Sequence, residues 1–128
     1  MSIIDTTDLE VEDTTIVELD DKHGNDLLDK EGNRRSVTLY GPGTKEFASA
    51  KAKAKLRAMK SIRNKKADAE GDTAATASFL ADITISFNNF GLSQADQVRK
   101  TFYELYANLK VGYITAKVDE SAGDWANF

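Results

Sequence analysis

Nine Lys and Arg side chains fall between residues 45 and 66, KEFASAKAKAKLRAMKSIRNKK, where Glu46 is the only acid. Closely spaced ammonium and guanidinium groups neutralise phosphates or acidic protein surfaces and release the counterions held there. The opposite charge is gathered between residues 1 and 33, with eleven Asp or Glu against two Lys. A net charge of -4 conceals this segregation. The acidic balance, and the lack of an Arg, Asn or Gln set for reading base edges before Arg63 and Asn64, make nucleic acid the weaker partner. A solvated basic face matched to an acidic protein surface is the favoured reading. Its candidate contacts are Lys53, Arg57 and Lys60.

Other chemistry finds little support. His23 is the only histidine and sits among turn residues, with no Ser and acid arranged around it for nucleophilic catalysis. A calcium loop needs Asp five residues before its central glycine, and counting back from Gly24 or Gly32 lands on Leu19 or Leu27. Gly41-Pro42-Gly43-Thr44 is too short for a phosphate loop and lacks its lysine. Asp20 and Asp21 are adjacent, whereas acid–base pairs need a cleft that separates their pKa values. Cysteine is absent, which removes disulfides, thiolate metal sites and thiol nucleophiles. No catalytic, metal or cofactor-binding residue is expected, and the work of the chain is expected to be protein binding. No signal peptide or membrane span is visible, so the cytoplasm is the expected address.

A chain of 128 residues suffices for one core and predicts a single domain, mainly α in an α+β sense. Residues 1–13 read as a flexible acidic arm. Thr14–Leu19 and Val37–Tyr40 are β-branched and aromatic, which predicts a β-hairpin over 14–40 with a long flexible loop. Three helices follow, at about 44–66, 73–90 and 93–118. Thr44 caps the first, whose apolar arc is Phe47, Ala48, Ala52, Ala58, Met59 and Ile62, with Lys53, Arg57 and Lys60 opposite. Asp72 or Thr73 caps the second, which carries Phe79, Leu80, Ile83, Phe87 and Phe90 on one stripe, although Ile83-Thr84-Ile85-Ser86-Phe87 also alternates as a strand would. Ser93 and Asp96 open the third as a capping box, with Ala95, Val98, Phe102, Leu105, Tyr106, Leu109, Tyr113 and Ala116 as its core stripe.

Tyr103, Val111, Ile114 and Val118 form a second apolar strip on that third helix, more than one core contact needs, and Trp125 and Phe128 end the chain. These six are candidate protein-interface residues beside the three basic ones. The tail folding back onto its own core is the competing reading.

The order of features, an acidic start, V-T-L-Y-G-P-G-T-K-E-F leading into a Lys/Ala-rich helix, two further helices and D-W-A-N-F at the end, resembles the tail assembly chaperones of long-tailed bacteriophages and prophages over residues 14–128. The chain departs from that family at Phe87-Asn88-Asn89-Phe90-Gly91, where relatives carry a Trp-Gly segment and a longer loop. The resemblance implies a chaperone made in the host cytoplasm and left out of the mature virion, which binds the tape measure protein and tail tube protein. It also implies a longer product made by frameshifting near Asp124–Phe128. Separated opposite charges suit self-association into rings or spirals. A head–tail connector or tail completion protein retained in the virion is the alternative, and a small nucleic-acid-binding regulator a more distant one.

Overall fold

The computed structural model describes residues 4–63 and 69–128, with side chains except those of 61–63 and 69–72. The chain runs β1 (Thr14–Glu18), β2 (Ser36–Tyr40), α1 (Lys45–Arg63), α2 (Ala69–Ile83), β3 (Thr84–Asn88), α3 (Arg99–Tyr106) and α4 (Gly112–Ala122), with short 3-10 turns at Gln94–Asp96, Leu109–Val111 and Trp125–Asn127. The strands form one antiparallel sheet in the order β1-β2-β3. The α+β class holds, and the predicted hairpin is present with Ile16 opposite Thr38 and Val17 opposite Val37. It has a third strand that the helical stripe concealed.

That third strand is the segment Thr84–Asn88, so the helix expected over 73–90 stops at Ile83. Val37 and Leu39 offer a fully buried sheet face, and pairing Phe87 against Val37 places its ring in the same core. The helical alternative would leave β2 as an unpaired edge, which is why packing overrides the helical period here. Phe87 is the aromatic centre, with ring centroids 4.8 Å from Phe102, 5.4 Å from Tyr106 and 5.2 Å from Phe90. Gly91, shortly after this strand, adopts the left-handed conformation at φ 74°.

The expected long third helix is broken into a 3-10 turn, α3 and α4. Ser93 accepts from the Asp96 N–H, as the capping box predicted, but the element it starts is the 3-10 turn. Asn108 ends the α3 region by accepting from the Lys110 N–H. The break lets α4 turn Ile114, Val118 and Ala122 onto the core, which a straight helix of about 25 residues and ~38 Å would carry beyond so small a sheet. Leu105 is half-buried and Leu109 is exposed, so of the expected third-helix core only Phe102 and Tyr106 are fully inside.

On α1 the inward positions are Phe47, Ala50, Ala54 and Arg57, while Ala48, Ala52, Ala58 and Met59 face outward. Thr44 caps this helix by accepting from the Phe47 N–H, as expected. α2 begins at Ala69, before the expected start at 73. The expected end of the first helix at Lys66 and the Ile62 and Asp72 side chains lie outside the described residues.

The connection between β1 and β2 is ordered by a repeat, Asp21-Lys-His-Gly-Asn25 and Asp29-Lys-Glu-Gly-Asn33. Asp21 accepts from the N–H groups of His23 and Asn25, and Asp29 does the same for Glu31 and Asn33. The backbone N–H of Asn25 holds the Asp21 carboxyl below its ordinary value, and that of Asn33 does so for Asp29. Gly24 and Gly32 complete the turns at φ 85° and 86°, where a side chain would be strained. Leu19, Leu27 and Arg35 close a ring of backbone hydrogen bonds beneath them. The 20–35 segment is therefore built structure, contrary to the flexible loop expected.

Candidate protein-binding groove

With Ile114, Val118 and Ala122 committed to the core, the flank of α4 left towards α2 carries small or short side chains, Gly112, Thr115, Ala116 and Asp119. Their size leaves a depression of about 280 Å³ against Thr73 and Thr76 of α2, floored by Tyr106 and bounded by Leu109. A Cβ at Gly112 would meet nothing within 4 Å, so the opening there is real space. Thr115 donates to the Tyr106 carbonyl, which fixes α4 on α3 and sets the depression's depth.

Asp119 also borders a second depression of about 350 Å³, walled by Phe47, Ala48 and Lys51 of α1, Phe79 of α2, Ala122 and Trp125. Phe47 and Phe79 meet edge to face at 5.4 Å, giving this half a rigid aromatic wall. The two depressions follow one another along α4, with Asp119 on the edge of both, and together make up a groove in two parts. Leu109, 74% exposed, borders the first depression and Trp125, 58% exposed, the second, while Tyr113, 39% exposed, follows the lining residue Gly112 on α4. Asp119, raised above its ordinary value by burial, and Lys51 are the charged groups on the groove's banks.

Beside the groove, the outer face of α1 presents Lys53, Lys55 and Lys60 with exposed Leu56 and Met59 between them. Apolar groups spaced among ammonium groups fit a protein surface better than a phosphate backbone. Arg57 departs from the expectation that it shares this face. It is half-buried on the inner side, and its Nε and Nη2 have no acceptor among the described residues.

Of the other expected interface residues, Ile114 and Val118 are core, at 4% and 0% exposed, so neither reaches a partner in this fold. Tyr103 and Val111 are half-buried and pack against the core cluster. The tail divides. Asp124 accepts from the Ala126 N–H, and the turn this makes leaves Trp125 outward while returning Phe128 to the body. Phe128 accepts from the Glu12 N–H at 2.8 Å and lays its ring over Gly41, so it ties the two chain ends together. Leu56, Leu109 and Tyr113 are the surface groups that periodicity missed, since Leu109 and Tyr113 lie on an apolar stripe that reads as core until the break at Asn108 is known.

Among the described residues there is no group of three or more His, Cys, Asp or Glu able to hold a metal ion, and no helix long and apolar enough to cross a membrane. His23 is exposed, its N–H held by Asp21. The arrangement suits accommodating an apolar segment of another protein beside a basic bank. No family model, no curated protein and no solved structure matches the chain.

Proposed function

We propose that this protein is a non-enzymatic tail assembly chaperone of a long-tailed bacteriophage or prophage, acting in the host cytoplasm during tail morphogenesis and absent from the finished virion. It binds apolar segments of the tape measure protein along the α4 groove, keeps them soluble, and binds tail tube subunits to recruit them around that protein. The observation that carries this reading is the groove itself, with exposed Leu109, Tyr113 and Trp125 around it and the Lys-rich, Leu56- and Met59-bearing face of α1 alongside.

Magnitudes bear on how such a chaperone works. Covering each of three large apolar side chains contributes up to about 1.5–3 kcal/mol, while association costs on the order of 4–15 kcal/mol. One copy therefore binds weakly and releases readily. A long partner presenting many similar segments gathers many copies, and contacts between neighbouring copies raise their effective concentration. Self-association is thus part of the mechanism, and the separated charges of α1 and the acidic N-terminal third favour it.

The test is co-expression with the tape measure protein encoded by the same phage. The chaperone reading expects a soluble complex with several copies per tape measure chain, and no copies in purified particles by mass spectrometry. Copies retained in the particle would instead identify a head–tail connector or completion protein, and a tape measure protein that stays insoluble would overturn the chaperone reading.

A further inference from the structure

The two edges of the sheet are treated differently. On β3 the Gln97 side-chain amide stands where a further strand would: its Oε1 accepts from the Phe87 N–H at 2.9 Å and its Nε2 donates to the Phe87 carbonyl at 2.8 Å. At Phe87 that edge is closed. On β1, Leu19 donates to Arg35 and Gly41 donates to Asp13, so the odd-numbered residues face β2 and Thr14, Ile16 and Glu18 turn their N–H and C=O groups outward. No backbone or side-chain hydrogen bond among the described residues reaches those outward N–H groups. An open strand edge of this kind is a template for another strand.

We propose that β1 pairs with β1 of a second copy, antiparallel about a two-fold axis at Ile16, joining two three-stranded sheets into one. The outward residues are self-complementary in that register alone. Ile16, 63% exposed at the middle of the strand, meets the Ile16 of the second copy, and Thr14 meets Glu18 in both directions. Three hydrogen-bonded pairs form, each exchanging two bonds. Among these outward residues a shift of two sets Ile16 against Glu18 or leaves Glu18 with no paired residue opposite, and a shift of four sets Glu18 against itself or reduces the pairing to Thr14 against Thr14. In the proposed register Glu18 keeps its own Arg34, 2.6 Å away. Pairing ends naturally at Thr14 and Glu18, because Glu12 is held by Phe128 and Asp20 turns towards Asp26. A foreign strand would need an apolar residue opposite Ile16 and no acid opposite Glu18, which a second copy supplies by symmetry with its own Ile16 and Thr14.

Charge gives this contact a signature. Each copy carries -4, with acids flanking the strand, so salt strengthens the edge pairing by screening repulsion, whereas contacts made by the basic face of α1 weaken with salt. The inference does not depend on the tape measure reading, and its test uses the protein alone.

The chain has no cysteine, so Ile16→Cys introduces the only thiol, and the Cα separation of a hydrogen-bonded antiparallel pair, about 5.5 Å, lies within the range a disulfide spans. In a glutathione buffer Ile16→Cys should link into covalent dimers several-fold faster than Ser93→Cys, an exposed control. Thr14→Cys and Glu18→Cys should link to each other when mixed, and much less to themselves. Ile16→Lys should lower the dimer fraction in sedimentation velocity while keeping the wild-type circular dichroism, and added salt should raise that fraction in the wild type. Equal linking rates for Ile16→Cys and Ser93→Cys, self-linking of Thr14→Cys, or a dimer untouched by Ile16→Lys would each overturn the proposal.

Discussion

Thr84 is where the helical and strand readings of the chain collide, and its hydroxyl is a direct probe of how the structure resolves them. It follows α2 and opens β3, and both Thr84 and Tyr106 are buried, at 7% and 1% exposed. The Thr84 hydroxyl donates to the Leu80 carbonyl at 2.7 Å, so the Tyr106 hydroxyl, 2.8 Å away, is the donor in their shared bond. Burial raises the Tyr106 phenol far above its ordinary value, which keeps that donor protonated. The consequence is an asymmetry. Tyr106→Phe deletes a donor and leaves Thr84 satisfied through Leu80, at a cost of about 0.5–1.5 kcal/mol. Thr84→Val leaves a buried Tyr106 hydroxyl with no acceptor and removes the bond to Leu80, at a cost of about 1–3 kcal/mol. Adding Tyr106→Phe to Thr84→Val should then cost little or recover stability, a coupling of about 1 kcal/mol between touching residues. Urea unfolding followed by circular dichroism measures all three variants, and each kcal/mol corresponds to roughly 3–6 °C in a thermal melt for a chain of this size. A larger loss for Tyr106→Phe than for Thr84→Val, or strict additivity in the double variant, would refute the donor assignment and with it the packing of the α2–β3 junction on α3.

Phe102→Ala removes a ring that is 3% exposed beside Phe87, and should lower stability by ~3–5 kcal/mol in the same assay. Gly41→Ala would place a Cβ 2.6 Å from the Phe128 ring and 2.9 Å from the Glu12 carbonyl, so the tail should detach, with faster amide exchange at Glu12 and a smaller fall in melting temperature than Phe102→Ala. Burial holds the Asp119 carboxyl above its ordinary 3.8, so the folded chain binds that proton more tightly than the unfolded chain. The ionised form costs stability, absent below the unfolded value and increasing as pH rises to the folded one. Asp119→Asn should therefore melt higher than the wild type at neutral pH, with the gain vanishing below about pH 4.

Local signals were legible where one principle acted without competition. Thr44 after Gly-Pro-Gly marks a helix start that no packing contradicts, and the β-branched runs at 14–19 and 37–40 pair as read. The strand at Thr84–Asn88 was hidden because Ile83, Phe87 and Phe90 satisfy a helical stripe and an alternating one together, and only the presence of β2 decides between them. On α1, alanine gives no sign of which way it faces, so the stripe of Phe47, Ala50, Ala54 and Arg57 was not separable from its neighbours by hydropathy. The groove was legible only in part. Trp125 is outward and Lys53 and Lys60 are exposed, but Ile114 and Val118 read as surplus apolar groups on a continuous helix. Once Asn108 breaks it, they become core, and Leu109 and Tyr113 move to the surface. The DKxGN repeat carried its own signal, two Asp residues each four positions before an Asn with Gly between, which a search for internal repeats would find.

If the face along α4 receives the tape measure protein as proposed, hydrogen–deuterium exchange of this chain, free and in complex with that protein, will show where it binds. Added protection is expected over Leu109–Ala122 and along α1, with the turns at Asp21–Asn33 unchanged. Binding that protects those turns while leaving α4 as exchangeable as in the free chain would contradict the proposal.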